Sequence, residues 1–467
     1  MNSDQHTAVE RTRALTLAAM SLGFGVVQLD VTIVNTALNA IGSGFGGEVS
    51  ALQWVVDAYT IGFAALILTA GALGDRIGAK RMFMGGFVLF TLASAACAFA
   101  PSLPLLIAAR AVQGLAAAIL VPNSLALLNH AYPDANARGR AVGVWAAGAS
   151  LALTAGPLAG GVLVALTGWR MIFLVNVPIG LVGLWLTWRF AAETPKAGGR
   201  HLDLPGQAAA ILALGLLAGA IIEGGEFGWR NAFVLGGLAA GAILAALFVL
   251  REHGAGSPML PLQLFAHRAF ASAALVGLLV NTAFYGLIFV LSLYFQRLDG
   301  LSPFQTGLAF TPMLAVVLPV NLIAPRLSER IGAPMVIAVG ALIASAGAVG
   351  LLIAENGTRY AFVWVQLVAL GGGLGLLVPP MTAMLLGSVD KQHSGIASGV
   401  LNSARQTGSV VGVALFGALV AKGPGFIAGL KLSLVIAAAL LVASAAIAIL
   451  GRQREGSRVA GEKRNPA

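Results

Sequence analysis

Apolar residues run through this chain in long blocks, and polar residues collect in the short gaps between them. Blocks of about 18 to 28 residues recur from end to end, each long enough to carry a helix across a hydrocarbon core about 30 Å thick. By length they predict fourteen spans, near residues 14–38, 51–73, 82–100, 103–129, 139–166, 170–190, 205–224, 231–250, 270–295, 304–325, 334–354, 359–386, 393–421 and 429–451. The expected fold class is therefore all-α and integral to the membrane. The head MNSDQHTAVERTR is too polar for a cleaved signal, and the first block runs past signal length, so span 1 is expected to stay in the bilayer.

Composition agrees with the pattern: 58% of the 467 residues are hydrophobic and 10% charged, against roughly 25% charged in soluble domains. Mean hydropathy is +0.89. A formal net charge of +10 raises the question of nucleic acid, but such binders gather their basic residues on one solvated face, whereas here the loops alternate. With the N-terminus inside and an even number of spans, about 20 of the 28 Lys and Arg fall on the cytoplasmic side and about 6 outside. That asymmetry predicts the orientation, with both termini in the cytoplasm; the expected location is the inner membrane, as a multi-pass protein.

Cys97 is the single cysteine, which excludes a disulfide framework and a thiolate metal site. The six histidines lie in tails, loops or span ends, with no H-E-x-x-H and no Walker A sequence, so neither metal chemistry nor ATP is expected. A membrane enzyme or sensor would need clustered His, Asp or Glu, or a soluble domain of about 50 residues or more. The longest loop has roughly twenty residues.

The chain echoes itself. A shift of 254 residues lays LGDRIGA (73–79) on LSERIGA (327–333), and a shift of 256 matches Ala141, Gly143, Val144, Gly156 and Gly161 with Ala397, Gly399, Val400, Gly412 and Gly417. Many secondary transporters are built from two related halves. Spans 1–6 and 9–14 read as two six-helix bundles, with spans 7 and 8 inserted between linkers AAETPKAGGRHLDLPG (191–206) and REHGAGSPMLPLQLF (251–265). The expected organisation is a tail over 1–13, a bundle over 14–190, linker and inserted helices over 191–265, a bundle over 266–451, and a tail over 452–467.

Ionisable residues inside the spans are few and costly, at least about 2.5 to 3.5 kcal/mol each near the bilayer centre. Four stand out: Asp30, Asp57, Arg110 and Arg405. Counting about 1.5 Å per residue places Asp30, Asp57 and Arg110 in one layer, roughly 9 to 13 Å below the outer surface. Such a layer suits proton exchange, because burial favours the neutral acid while a neighbouring guanidinium favours the carboxylate. Arg110 and Gln113, in ARAVQG (109–114), lie one helical turn apart on one face. A static buried ion pair is the plain alternative for Asp30 and Arg110. For Asp57 the alternatives are cation binding, a second proton, or pairing with Arg405.

Five stretches carry a family resemblance: GALGDRIGAKR (71–81), LDVTIVNTAL (29–38), WVVDAY (54–59), GPLAGG (156–161) and WRMIFLVNVPIG (169–180). They resemble the major facilitator superfamily, and within it the fourteen-span drug:proton antiporter branch. The resemblance implies a major facilitator fold of two six-helix bundles plus two inserted helices. It also implies export of small hydrophobic or cationic compounds in exchange for protons, by a protein functional as a monomer and needing no cofactor. It ties Arg110 to proton coupling. Gly71, Asp75, Arg76, Gly78 and Arg81 would form a latch, with Asp75 near the N-terminus of the helix beginning at about Ser394; the plain alternative is a basic anchor of Arg76, Lys80 and Arg81. Gly156, Pro157, Gly160 and Gly161 would form the bend seen in exporters. An acid at Asp57 departs from much of the branch and is similar to members that export dications.

A substrate site is expected near the midplane, where apolar and aromatic walls carry a few polar groups. By depth the candidates are Asn35, Tyr59, Gln113, Asn281, Phe284, Tyr285, Asn321, Gln366, Asn402 and Arg405. Glu223 and Glu226, in EGGEFGW, are expected on a solvated outer rim, with a cation-attracting vestibule as the alternative. A proton-coupled importer on the same fold is the rival function.

Overall fold

The computed structural model describes residues 3–196, 203–254, 260–355, 358–389, 394–421 and 425–462. Among them every regular element is helical: α1 (Ser3–Phe45), α2 (Val49–Ile77), α3 (Ala79–Ala98), α4 (Leu103–Ala131), α5 (Ala135–Thr167), α6 (Met171–Leu174), α7 (Asn176–Phe190), α8 (Leu204–Phe227), α9 (Ala232–Gly254), α10 (Arg268–Leu293), α11 (Pro303–Ala315), α12 (Val317–Ile331), α13 (Ala333–Gly350), α14 (Tyr360–Gly387), α15 (Ser394–Val420) and α16 (Phe426–Glu462). A π-helical turn, Tyr294–Leu298, extends α10.

Thirteen stretches among the described residues are long and apolar enough to cross a membrane, one fewer than the sequence pattern predicts. The helix outside that set is α15, which carries Asn402, Arg405 and Gln406 in its middle. Two spans are interrupted, each for a stated reason. Pro178 lacks the amide that would bond the carbonyl of Leu174, where α6 ends. Pro319 stands in the same relation to Ala315, the last residue of α11.

The described chain divides into two compact units, Met1–Met259 with Ser292–Leu308, and Leu260–Leu291 with Ala309–Ala467. Lipid tails are as apolar as leucine, so helices within each unit are held by close packing and hydrogen bonds rather than by hydrophobic exclusion. In the first unit Gly156 and Gly160 of α5 rest directly on Thr32, Ile33 and Thr36 of α1. In the second, Gly408 and Gly412 of α15 rest on Leu278 and Thr282 of α10. The two echoed loops adopt the same turn. Gly78 (φ 112°) joins α2 to α3 and Gly332 (φ 86°) joins α12 to α13, both in a region that favours glycine. Their amides close onto the carbonyls of Gly74 and Ser328, each at 2.9 Å.

The inserted pair, α8 and α9, belongs to the first unit and is tied to α2 at both ends of α8. At one end Gln207 donates to the Ala65 carbonyl (2.6 Å) and accepts from Thr69 Oγ1. At the other, Trp54 Nε1 donates to Glu223 Oε1 (3.1 Å) and Ser50 Oγ to Glu226 Oε2. Glu223 and Glu226 are thus half-buried docking groups, not a freely solvated rim, because α8 lays them against the polar start of α2. Asp203 caps α8 by accepting from the Gly206 amide (3.0 Å) and binds Arg251 of α9 (2.8 Å). The Arg251 guanidinium holds the Asp203 carboxyl below the usual carboxylate range.

Candidate functional site

Asp30 of α1 and Arg110 of α4 meet inside the first unit, 0% and 1% exposed. Arg110 Nη1 donates to Asp30 Oδ2 and to Gln113 Oε1 (2.7 Å), while its Nε donates to the Val55 carbonyl of α2 (3.0 Å). Asp30 Oδ1 accepts from Gln113 Nε2 (2.8 Å) and from Asn176 Nδ2 of α7 (2.9 Å). Gln113 also donates to Ser94 Oγ of α3 (2.8 Å), and Cys97 Sγ lies 3.6 Å from Gln113 Oε1. The guanidinium stands over the Tyr59 ring (4.4 Å to its centroid) and near that of Phe173 (5.6 Å). Helices α1, α2, α3, α4, α6 and α7 therefore meet around one ion pair whose members are both hydrogen-bonded, the condition under which a buried pair is tolerated.

Tyr59 and Gln113 form the floor and the bridge of this centre. Asn176 and Ser94 belong to it without having been singled out by depth or motif spacing. The signal for Asn176 was present in WRMIFLVNVPIG, whose single amide side chain sits at the start of a helix broken by Pro178.

Asp57 differs from Asp30. It is fully buried, its Oδ1 accepts only a long bond from Thr60 Oγ1 (3.3 Å), and its Oδ2 has no hydrogen-bond partner among the described residues. The two acids of one predicted layer thus have unequal surroundings, one saturated with donors and the other nearly bare.

In the loop 71–81, Gly74 is packed so closely that a side chain would overlap the Asn123 amide, and Gly78 makes the turn. Asp75 and Arg76 are exposed at the end of α2. The start of α3 is capped by the segment that follows α7. Glu193 accepts from the amides of Lys80 (2.9 Å) and Arg81 (3.3 Å), Thr194 from that of Ala79 (2.9 Å), and Arg81 Nε lies 3.8 Å from Glu193. A carboxylate there meets the positive end of the helix dipole. The residues AAETPK read as a plain linker, because nothing local in them marks a cap for a helix over a hundred residues earlier.

Pro157 sits inside a continuous α5 and removes the amide that would bond the Leu153 carbonyl. Thr32 of α1 supplies the missing donor, its Oγ1 lying 3.0 Å from that carbonyl. Gly156 makes room for the same hydroxyl, Gly160 for Thr36 and the Ile33 carbonyl, and Gly161 for the backbone at Pro303 and Phe304.

The other cavity candidates are distributed. Asn35, Asn281 and Asn402 each donate to a carbonyl one turn back on their own helix, at 3.1, 2.7 and 3.0 Å. The Asn35 carbonyl accepts from Ser292 Oγ. Phe284 and Tyr285 are edge-to-face neighbours on α10, and Arg405 packs by Gly277 of the same helix. Gln366 lies against Gly350, and Asn321 Oδ1 is buried with no hydrogen-bond partner among the described residues.

The profile described as Major Facilitator Superfamily matches residues 20–211 and 204–413. A methylenomycin A resistance protein of Streptomyces coelicolor is 40% identical over 404 residues, covering 86% of this chain and 84% of that protein. The multidrug resistance protein Stp of Mycobacterium tuberculosis is 38% identical over 413 residues, covering 88% and 77%. In fold the chain is similar to a bacterial homologue of the human lysosomal transporter Spinster, with a TM-score of 0.68 at 18% identity, covering 94% of this chain and 97% of that one. A multi-pass membrane protein with this similarity along most of its length belongs to the Major Facilitator Superfamily, in its multidrug and antibiotic-resistance efflux branch.

Proposed function

We propose that this protein is a proton-coupled antiporter that exports small hydrophobic or cationic organic compounds, antibiotics among them, across the inner membrane. In this reading α15 is a fourteenth span, both termini are cytoplasmic, and the monomer is the working unit. Relatives named for methylenomycin A resistance and multidrug resistance support the class of compound.

The observation that carries the proton is the pair of unequal buried acids, Asp30 in a closed network with Arg110 and Asp57 nearly without donors. Neutralising Asp30 would leave the Arg110 guanidinium buried without its counter-charge, a penalty of about 3–5 kcal/mol for breaking such a pair. That penalty is the differential energy a proton needs in order to shift a carrier between two arrangements. Asp57 is free to be neutralised by a proton or by a cationic compound. The 71–81 loop acts as a latch that holds in one arrangement only, and the α5 segment 156–161 keeps the inner route tight while the carrier turns.

The test is flux in inverted membrane vesicles under an imposed pH gradient, with a cationic dye as cargo. Wild type should move dye against its gradient while dissipating the proton gradient. Asp30→Asn should still bind dye and lose proton-driven transport. Full coupled transport by that variant, or dye accumulation in the direction of proton flow, would refute the assignment.

A further inference from the structure

Between α2, α8 and α9 lies a cavity of about 480 Å³, within the range of roughly 300–1,000 Å³ in which small organic molecules bind. Small residues create it. Gly219 of α8 and Gly237 of α9 stand where larger side chains would close the space, and a Cβ at Gly219 would already lie 3.0 Å from the Trp54 ring. The walls are Trp54, Phe227 and Phe233, with Glu223 as the charged group among them. Trp54 Nε1 donates to Glu223 Oε1 at 3.1 Å, which fixes the carboxylate at the wall rather than leaving it to swing into solvent. Phe227 and Phe233 are 61% and 89% exposed, so the mouth faces whatever surrounds α8 and α9.

One oriented carboxylate, in a chamber whose other lining is aromatic and apolar but for Asn231, selects by charge. An aliphatic chain fits the volume but leaves the acid without a counter-charge. A lipophilic cation answers all three features, since its charge faces Glu223, aromatic faces attract it, and its body fills the apolar space. We propose that this cavity is a binding site for lipophilic organic cations, distinct from the Asp30–Arg110 centre and formed jointly by α2 and the inserted helices. Its place as an antechamber for exported compounds rests on the antiporter reading above; the binding itself does not.

A photoreactive benzophenone-bearing phosphonium cation tests this on purified full-length protein in nanodiscs of zwitterionic lipid, with adducts mapped by mass spectrometry. Adducts are expected on Trp54 and on peptides covering 216–237. Glu223→Gln should weaken that labelling about tenfold, the scale of losing a close charge partner, and leave a neutral benzophenone of similar size unaffected. Gly219→Leu should block both probes. Adducts confined to other helices, or equal labelling of Glu223→Gln by the cation, would overturn the proposal and leave an apolar slot for lipid. Asp30→Asn keeps the two readings apart: cavity labelling should persist in it whether or not coupled transport does.

Discussion

Replacing Thr32 by Val keeps the shape of the side chain and removes the hydroxyl that satisfies the Leu153 carbonyl. That carbonyl lacks its helical donor because residue 157 is proline, so it becomes a buried acceptor with its nearest donor gone. Such a group costs about 1–3 kcal/mol, with the lower figure of about 0.6 kcal/mol typical of hydrogen bonds measured inside a membrane protein. The bonds Thr32 makes within its own helix are longer, 3.3 Å to both Gln28 and Leu29, and those carbonyls keep their helical amides. A double-mutant cycle isolates the effect. Pro157→Ala restores an amide for Leu153, so Thr32→Val should be nearly neutral in that background and clearly destabilising with Pro157 present. The readout is the midpoint of thermal unfolding in a fixed detergent, with Thr32→Ser as the control that keeps the donor. Equal loss in both backgrounds, or a serine as harmful as the valine, would refute the account.

Asp57→Asn should reduce export of dicationic dyes more than of monocationic ones, measured as relative resistance in cells; equal loss for both would assign the residue to protons instead. Gly78→Ala places a side chain at φ 112° and should cost about 1–3 kcal/mol, seen as a lower unfolding midpoint, whereas Gly139→Ala, inside α5 with open space around it, should keep or slightly raise the midpoint. For Asp203, whose carboxyl Arg251 holds below the usual range, the stabilising contribution is complete above the unfolded value of about 3.9 and disappears as pH falls through the lower folded value. The stability difference between wild type and Asp203→Asn should therefore be flat above about pH 5 and shrink only in stronger acid.

The spans were legible because each is a block of apolar residues, and the charged centre because ionisable groups in such blocks are rare. Depth placed Asp30, Asp57 and Arg110 in one layer, and of the two acids it is Asp30 that meets Arg110. Depth could not separate Asp30 from Asp57, since the difference lies in donors brought by Asn176 and Gln113 from two other helices. Thr32 was hidden for the same reason, its importance being set by a proline more than a hundred residues away. The polarity of α15 weakens its signal as a span. Glu223 and Glu226 looked like rim charges because an acid near a span end is usually solvated; their partners stand on α2, far off in sequence.

The inequality of the two acids bears on how export and proton entry could be linked. A proton shifts the equilibrium between two arrangements only where it binds them with different free energy, and the two acids give it different surroundings to disturb. In the proposed mechanism, neutralising Asp30 would remove a charge-assisted bond and strand Arg110, so a proton there would have to arrive together with a rearrangement that gives the guanidinium new partners. Asp57 has only the Thr60 hydroxyl to lose. A cation at Asp57 and a proton at Asp30 would therefore act on different energies, the first on binding and the second on conformation. In the antiporter proposed above, that division would let one carrier accept chemically varied cations while keeping a single proton-driven step, because cargo variety would be absorbed where little structure depends on it.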